Sequence, residues 1–264
     1  MASGGQMGVG RIAVFDSGLG SLSIIKAIQK HTKSDIIYFA DQKNFPYGKK
    51  SQKDLEKIIK NTVAYLRKKF DPDLIVIGSN TPSLLFNSMF LSDTSLVGVV
   101  PPIEDAQEIT KTNSIALLVT SSVANSSALR NFVKMHRRNK IKITIVDSSN
   151  LVELVESGKF LTDQNLCDKQ IVSTLDTKFR DNNVDVATLS STHLPFLLPI
   201  LQKIFPDVKF VDPADKVARQ VATHKLFSPS ARNTLKIFSS GNAKIFQTQL
   251  HNLGIVKTVH QISF

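Results

Sequence analysis

The sequence predicts an α/β fold in which two similar domains, each built on a parallel sheet, face each other across a cleft. Short runs rich in Val, Ile and Leu alternate with segments of helical period along most of the chain. Apolar strands separated by helices are typical of parallel sheets that helices cover on both faces. In addition, the two halves of the chain repeat one plan, in which strands end in polar loops.

The strands are predicted from apolar and β-branched runs bounded by polar or turn-forming residues. They fall at 11–15, 36–39, 74–77, 95–100, 115–119, 141–146, 184–189 and 208–211, with further short runs at 236–238 and 255–259. Because helical segments separate most of these runs, we expect the strands to pair in parallel.

Two helices show the clearest apolar faces. The first spans 22–30 and places Leu22, Ile25 and Ile28 on one side. The second spans 52–70 and opens with a capping-box pattern at Ser51 and Asp54. Its apolar stripe consists of Leu55, Ile58, Ile59, Val63 and Leu66.

Polar loops follow four of the predicted strands. They read VFDSGLGS and IGSNT in the first half, and LLVTSSVANSS and SSTH in the second. In parallel sheets the carboxyl ends of the strands line the ligand crevice. We therefore expect two matching walls to enclose one small ligand, with a domain boundary near Pro101 and Pro102, where the periodic pattern breaks.

The composition excludes several classes of protein. The 264 residues are 42% hydrophobic and 21% charged, with six histidines and Cys167 as the one cysteine. This rules out an internal disulfide framework, and no metal site is expected because no histidines pair at i, i+4. No apolar run approaches the roughly 20 residues of a membrane span, so we expect a cytoplasmic protein without a membrane partner. The opening MASGGQMGVG predicts that residues 1–9 are an expression tag or disordered.

The formal net charge of +11 could attract an anionic partner. However, Lys and Arg are scattered over helices with acidic residues between them, and the sequence shows no RNA-recognition or zinc-finger signature. We expect a solvated basic surface and no nucleic-acid partner. Recruitment to nucleic acid is the less favoured alternative.

The segment FDSGLGSLS reads as a strand, a glycine-containing loop and a helix. Gly18 and Gly20 are predicted to permit tight turning, and the helix N-terminus near Leu22 to offer free N–H groups to an anion. The segment lacks the last glycine of a dinucleotide fingerprint, and no Walker A sequence occurs. Asp16, at the strand end, is predicted either to cap the helix or to handle a proton.

Ser79 and Ser191 do not indicate a serine hydrolase, because the G-x-S-x-G elbow is missing. His193 follows Ser191 by two residues, so both side chains could face the same cleft. A single histidine at a strand end is more often a hydrogen-bonded structural residue, and that reading stays open.

Seven segments carry a resemblance to a known family: IAVFDSGLGSLSIIKAI, DIIYFADQKNFPYGKKS, LIVIGSNTPS, LVELVESG, STHLPFL, FVDPADKVA and FSSGNAKIF. In order and spacing, the chain from Arg11 to Phe246 resembles the glutamate racemase family of the aspartate/glutamate racemase superfamily. The most specific parts are F-D-S-G-x-G, P-Y-G, and the S-N-T and S-T-H pair. The resemblance implies that 10–100 and 212–264 form the first domain and 101–211 the second.

The resemblance implies racemisation by two bases without a cofactor. The family uses two cysteines, one from each domain, on opposite faces of the substrate Cα. One thiolate removes the α-proton, and the other thiol delivers a proton to the far side. Those cysteines fall at Ser79 and Ser191. Asp16 matches the carboxylate near the first thiol, and Glu156 with His193 matches the groups beside the second.

The resemblance also implies an acidic ligand, either glutamate, aspartate or a related dicarboxylate. The positions that match family contacts to the substrate amino and carboxylate groups are Ser17, Pro46, Tyr47, Gly48, Asn80, Thr81, Ser122 and Thr192, with Ser122 standing where threonine is usual. The sequence leaves open whether the protein forms a homodimer.

Serine at both thiol positions puts turnover in doubt. A cysteine thiol has a pKa of about 8.5 that neighbours readily lower, whereas a serine hydroxyl is a far weaker acid. General-base efficiency depends on a pKa near the working pH. We therefore expect severely impaired racemisation, with a non-catalytic binding protein for acidic amino acids as the alternative. Cys167 lies in a predicted helix away from every motif, and its expected role is core packing.

The serines have two conceivable origins. They could be engineered into a working racemase to trap a ligand, or the chain could be a natural variant without thiols. Gly78, Pro82, Pro101 and Leu194 also depart from residues usual in the family. This collective drift favours the natural variant.

Overall fold

A computed structural model describes residues 10–263, which form two sheets whose strand pairs are all parallel. The segment 1–9, predicted to be a tag or disordered, lies outside the described residues. The six-stranded sheet contains β1 (Arg11–Asp16), β2 (Asp35–Ala40), β3 (Leu74–Ile77), β4 (Leu96–Gly98), β9 (Thr234–Ser239) and β10 (Val259–Gln261). The four-stranded sheet contains β5 (Ser114–Val119), β6 (Lys142–Asp147), β7 (Val186–Leu189) and β8 (Lys209–Val211).

The strand orders are β10-β9-β2-β1-β3-β4 and β6-β5-β7-β8. The predicted fold class, two parallel-sheet α/β domains, is confirmed. The strands of the six-stranded sheet come from both ends of the chain and those of the other sheet from its middle. This membership supports the predicted domain limits, which stay a prediction.

Helices connect the strands and cover the sheets. They are α1 (Ser21–His31), α2 (Gln52–Phe70), α3 (Asn80–Leu85), α4 (Asn87–Ser92), α5 (Ile103–Ile109), α6 (Ser121–Ala124), α7 (Ser127–His136), α8 (Ser149–Glu156), α9 (Lys159–Thr162), α10 (Gln164–Asp181), α11 (Leu198–Ile204), α12 (Ala214–Ala222) and α13 (Ala243–Asn252). Short 3-10 helices lie at Gln42–Asn44, Tyr47–Lys49 and Leu194–Leu197. Within residues 10–263 no helix combines the length and apolar character that crossing a membrane requires.

The six-stranded sheet is buried on both faces, as its apolar strands predict. Ile12 and Val14 of β1 pack in one core with residues of α1, α12 and α13. The alternate residues Ala13 and Phe15 pack in a second core with the stripe of α2. Burial on both faces holds the carboxyl end of β1, where Asp16 lies, in a fixed place.

The N-terminus of α2 departs in one detail from the predicted capping box. Ser51 Oγ accepts the backbone N–H of Asp54 at 3.1 Å, as predicted. The Asp54 carboxylate accepts a hydrogen bond from the Ser51 hydroxyl at 2.6 Å, whereas a capping box would use the backbone N–H.

Several predicted strands have different limits in the structure, and two of these differences have a clear physical cause. β4 ends at Gly98, two residues before the prediction, because Val99 bonds to side chains. Its N–H donates to Ser83 Oγ at 3.0 Å, and its carbonyl oxygen accepts from Asn80 Nδ2 at 3.2 Å. The last strand is Val259–Gln261, where 255–259 was predicted, because Ile255 N–H donates to the Leu250 carbonyl in a turn after α13.

Candidate active site

The two halves of the molecule are the part built on the six-stranded sheet, here called the first half, and the part built on the four-stranded sheet, the second half. A cavity of about 250 Å³ lies between them, at the carboxyl ends of strands from both sheets. Eleven of the thirteen predicted site residues line it. The complete lining consists of Ser17, Phe45, Pro46, Tyr47, Gly48, Lys49, Ser79, Asn80, Thr81, Thr120, Ser121, Ser122, Ser149, Val152, Glu153, Ser190, Ser191, Thr192 and His193. Residues far apart in sequence therefore meet around one hollow, because parallel strands bring their carboxyl ends to one edge.

Ser79 and Ser191 reach the cavity from different sheets. β3 ends at Ile77, and Ser79 precedes the first residue of α3 in an extended conformation, without a side-chain capping hydrogen bond. Ser191 follows β7 by two residues and is 6% exposed. Each hydroxyl can donate to and accept from a ligand in the cavity.

Asn80 carries a buried acceptor that lacks a partner. Its Nδ2 donates to the Val99 carbonyl, and the side chain is almost fully buried. No described residue lies within hydrogen-bonding distance of its Oδ1. An unpaired buried acceptor costs roughly 1–3 kcal/mol, so a ligand that donates to Asn80 Oδ1 would recover this energy.

Hydroxyl groups of the two halves meet across the cavity. Thr81 Oγ1 lies 3.5 Å from Thr120 Oγ1, which lies 3.3 Å from Ser122 Oγ. The Thr192 hydroxyl donates to the Gly78 carbonyl at 3.1 Å. This donation leaves the Thr192 oxygen able to accept from a ligand.

Asp16 lies outside the cavity lining, buried at the end of β1. Its carboxylate accepts the N–H groups of Gly18 at 3.3 Å and Ser21 at 2.7 Å, and the Tyr38 hydroxyl at 3.2 Å. Glu156, which also lies outside the lining, accepts the Leu19 N–H at 2.8 Å. The prediction of free N–H groups at the start of α1 is therefore wrong, because Asp16 accepts the Ser21 N–H and the carbonyls of Leu19 and Gly20 accept the next two.

The expectation that Gly18 and Gly20 are needed for tight turning of the chain is also wrong. Among the described residues only Gly158 and Gly254 are glycines with a positive φ, so tight turning does not require glycine here. A Cβ at Gly18 would lie 2.0 Å from Glu156 Oε1, and one at Gly20 would lie 2.3 Å from Thr192 Oγ1. Both positions need glycine because side chains of the second half approach the backbone closely.

His193 and Glu156 form a pair beside the cavity. His193 Nε2 contacts Glu156 Oε1, and both side chains are largely buried. The pairing of these two residues, 37 positions apart, agrees with the predicted grouping. It also means that His193 is hydrogen-bonded, so a structural role and a proton-transfer role are both compatible with its contacts.

The fold raises the pKa values of two buried groups beside the cavity. Burial raises the pKa of Asp16 to about 7, although His193, the Ser21 N–H and Tyr38 oppose that rise. Burial opposes charge on His193, but the Glu156 and Asp16 carboxylates outweigh it and raise the pKa of His193 above its usual value. Groups that titrate near the working pH are suited to general acid–base chemistry.

Cys167 lies in α10, buried in the core of the second half. Burial raises the pKa of its thiol. Its predicted role in core packing agrees with this position. Within residues 10–263 no three metal-binding side chains come together in a way that could hold a metal ion.

Several lining residues were not predicted. Thr120, Ser121 and Ser190 lie in polar loops that the sequence had marked, so the same strand-end signal could have found them. Lys49 and Glu153 lie on short helices, and no local pattern distinguishes them from other surface charges. They join the cavity because the tertiary fold brings their elements to its opening.

The chain has relatives of similar sequence among known proteins. No family model matches the chain. The glutamate racemase of Vibrio vulnificus (strain YJ016) is 28% identical over 235 residues, which cover 87% of this chain and 87% of that protein. The glutamate racemase of Agrobacterium fabrum is 26% identical over 217 residues, covering 79% and 78%.

Solved structures of glutamate racemases are similar to this chain in fold. Escherichia coli glutamate racemase, in complex with L-glutamate and the activator UDP-MurNAc-ala, superposes with a TM-score of 0.81 at 25% identity, covering 96% of this chain and 98% of that one. Thermus thermophilus glutamate racemase, in complex with β-chloro-D-alanine, gives a TM-score of 0.83 at 24% identity, covering 97% and 98%. The resemblance to glutamate racemases that the motifs predicted is confirmed.

Proposed function

We propose that the protein is a cofactor-independent amino-acid racemase of the glutamate racemase type, acting on glutamate or a similar acidic amino acid, with turnover strongly reduced by serine at both thiol positions. The observation that carries this proposal is that Ser79 and Ser191, one from each sheet, line one cavity. The similarity of sequence and fold to glutamate racemases supports the reaction type.

The proposed ligand fits the polar groups of the cavity. The Asn80 Oδ1 acceptor suits the α-ammonium group, and the clustered hydroxyls suit a carboxylate. Glutamate racemases of E. coli and Francisella tularensis have been solved in complex with L-glutamate and D-glutamate respectively. An acidic amino acid is therefore the proposed substrate class.

Proton transfer at Cα has to start from groups other than the serine hydroxyls. A serine hydroxyl is too weak an acid to supply its anion near neutral pH. Asp16, with a pKa of about 7, and His193 paired with Glu156 are the groups that can exchange protons there. We propose that they act through Ser79 and Ser191 in any residual turnover.

Deuterium exchange tests the reaction. L-Glutamate and L-aspartate are incubated with concentrated protein in D2O, and loss of the α-proton NMR signal is followed against a blank. We expect exchange to be slow or undetectable in this chain. The Ser79→Cys/Ser191→Cys double variant should exchange at least about 100-fold faster, because it restores groups with an accessible thiolate.

A folded double variant that binds glutamate but shows no exchange above the blank would reject the racemase proposal. Each single variant is the matched control and is scored by formation of D-glutamate from L-glutamate, because one thiolate can exchange the α-proton on its own face but racemisation by two bases needs both positions. Circular dichroism of every variant shows whether a loss of exchange reflects a loss of structure.

A binding protein without turnover is the second candidate. The unpaired Asn80 acceptor favours it, because that group recovers energy on ligand binding whether or not a proton moves. Calorimetric titration with glutamate, aspartate and succinate tests it. Binding without exchange, in this chain and in the double cysteine variant, would establish it over the racemase; no heat with any ligand would reject it.

A further inference from the structure

Lys49 and Glu153 form an ion pair across the opening of the cavity. Lys49 ends the 3-10 helix Tyr47–Lys49 of the first half, and Glu153 lies in α8 of the second half. Lys49 Nζ lies 3.6 Å from Glu153 Oε1. Both residues line the cavity, and their side chains are 75% and 69% exposed, which places the pair where the cavity meets solvent.

These two residues carry the fixed charges of the cavity. Among the described residues that line it, Lys49 is the only lysine or arginine, and Glu153 is the only aspartate or glutamate. Gly48 brings Lys49 close to the second half, because a Cβ at Gly48 would lie 3.1 Å from Ser122 Oγ. The one lysine among the described lining residues is thus held at the opening beside a carboxylate of the opposite half.

An acidic amino acid needs more than the hydroxyls and Asn80 offer. Its α-ammonium and α-carboxylate groups can use those neutral groups, and the second carboxylate gains most from a cation, because hydrogen bonds between charged groups are stronger than those to neutral ones. An ion pair between exposed side chains contributes only about 0–1 kcal/mol. An incoming carboxylate can therefore displace Glu153 from Lys49 at little cost.

Taking the function proposed above as its basis, we propose that Lys49 determines specificity by binding the second carboxylate of an acidic ligand, and that Glu153 is the internal competitor this carboxylate displaces. A ligand whose side chain ends in a neutral amide gains nothing from Lys49. The pair therefore selects dicarboxylic over monocarboxylic amino acids at the opening of the cavity.

Calorimetric titration with glutamate and glutamine tests the selection. Lys49→Met should weaken glutamate binding about tenfold, the size of one charge-assisted hydrogen bond, and leave glutamine binding unchanged. Glu153→Gln should strengthen glutamate binding about threefold, because it removes the competing carboxylate.

Matched controls remove the same charges away from the cavity. Lys53→Met removes an exposed lysine of α2, and Glu56→Gln removes a carboxylate that pairs with Lys60 on the same helix. Both should leave the ratio of glutamate to glutamine affinity at its wild-type value. The proposal is overturned if Lys49→Met changes this ratio no more than Lys53→Met, or Glu153→Gln no more than Glu56→Gln.

A thiol placed in the cavity gives a second readout that needs no substrate. In a Ser79→Cys background, we compare the rates of modification by a sulfonate-bearing and a trimethylammonium-bearing methanethiosulfonate. Cys167 is buried, and the unmodified chain sets its background rate. The measured quantity is the rate of modification by the sulfonate reagent divided by the rate for the trimethylammonium reagent. This rate ratio should fall several-fold with Lys49→Met, rise with Glu153→Gln, and stay unchanged with Lys53→Met and Glu56→Gln.

The two readouts separate the failure of this proposal from the failure of the proposed function. If the wild-type chain binds neither glutamate nor aspartate but the rate ratio shifts as expected, the proposed function fails and the role of Lys49 in admitting anions holds. If glutamate binds but neither the affinity ratio nor the rate ratio responds to Lys49→Met, the role of Lys49 is rejected and the proposed function holds.

Discussion

The hydroxyl of Thr192 donates a hydrogen bond to the carbonyl oxygen of Gly78, and this bond joins the loop after β7 to the loop after β3. Ser191 immediately precedes the donor, and Ser79 immediately follows the acceptor. The bond therefore sets how the two serines stand relative to each other across the cavity. The Ser23 hydroxyl, which donates to the Thr192 carbonyl at 3.2 Å, holds the same loop from α1.

Removing this bond should loosen the site. Thr192→Val removes the shorter of two hydrogen bonds to the buried Gly78 carbonyl, because the Ser21 hydroxyl also donates to it at 3.5 Å. We therefore expect the free energy of unfolding to fall by about 1 kcal/mol. Thr192→Ser keeps the hydroxyl and should retain most of the stability. Urea denaturation measures both variants, and a loss in Thr192→Ser as large as that in Thr192→Val would show that the hydrogen bond contributes no more than the methyl group.

A side chain at Gly18 should disrupt the carboxylate of Glu156. The Gly18→Ala Cβ would lie 2.0 Å from Glu156 Oε1, and we expect a loss of about 1–3 kcal/mol in the free energy of unfolding. Truncation by Glu156→Ala frees that space. The double variant should then lose less than the sum of the two single variants, as a double-mutant cycle measures; additive losses would contradict the close approach.

The stability of the protein should fall as the pH rises from about 4 to 7. Asp16 has a pKa of about 7 in the folded chain, against an ordinary value of 3.8, so the folded state binds more protons than the unfolded state in this range. The raised pKa of His193 acts in the same sense above its ordinary value of 6.5, with stability lost as the pH passes its folded-state pKa. Asp16→Asn should remove the contribution of Asp16 to this pH dependence.

Thermal unfolding at pH 5 and pH 8 measures this dependence. The decrease in Tm between the two pH values should be smaller for Asp16→Asn than for the wild-type chain. Asp207→Asn, which removes an exposed carboxyl group, is the control and should follow the wild type. An Asp16→Asn variant with the wild-type decrease would show that Asp16 does not take up a proton on folding.

Asn80 should contribute more to ligand binding than to folding. Asn80→Ala removes the unpaired Oδ1 together with one hydrogen bond to Val99, so the two effects on stability oppose each other. We expect glutamate affinity to fall about tenfold, the equivalent of one hydrogen bond to a charged group. Calorimetry measures the glutamate affinity of Asn80→Ala and of a control, Asn61→Ala, on the exposed face of α2. The control should bind glutamate as the wild type does.

Cys167 should matter for stability and not for exchange. Cys167→Ser places a hydroxyl in an apolar core, and a loss of about 1–3 kcal/mol in the free energy of unfolding is expected. Cys167→Ala should lose less, because it buries no polar group. In the Ser79→Cys/Ser191→Cys background, adding Cys167→Ser or Cys167→Ala should leave the rate of α-proton exchange unchanged. A change in that rate would implicate Cys167 in the chemistry.

Much of the fold could be predicted from local patterns. β1, β3 and the stripe of α2 follow from apolar periodicity, which depends on residues close together in the chain. The pattern failed at β4, because Val99 bonds to the side chains of Asn80 and Ser83 and leaves the strand. No local propensity contains those contacts.

The sequence by itself determined most of the residues that line the cavity, because polar residues that follow parallel strands meet at one sheet edge and because the motifs resemble those of glutamate racemases. It also determined that the two central hydroxyls are poor bases, since that is a property of serine.

Only the tertiary structure decided what surrounds those residues. Glu156 accepts the Leu19 N–H in the loop before α1 from 137 positions away, a contact that no local pattern predicts. Burial, a property of the assembled fold, moves the pKa of Asp16 to about 7. The Lys49–Glu153 pair likewise exists because the two halves pack together, and electrostatic interactions depend on distances through space rather than along the chain.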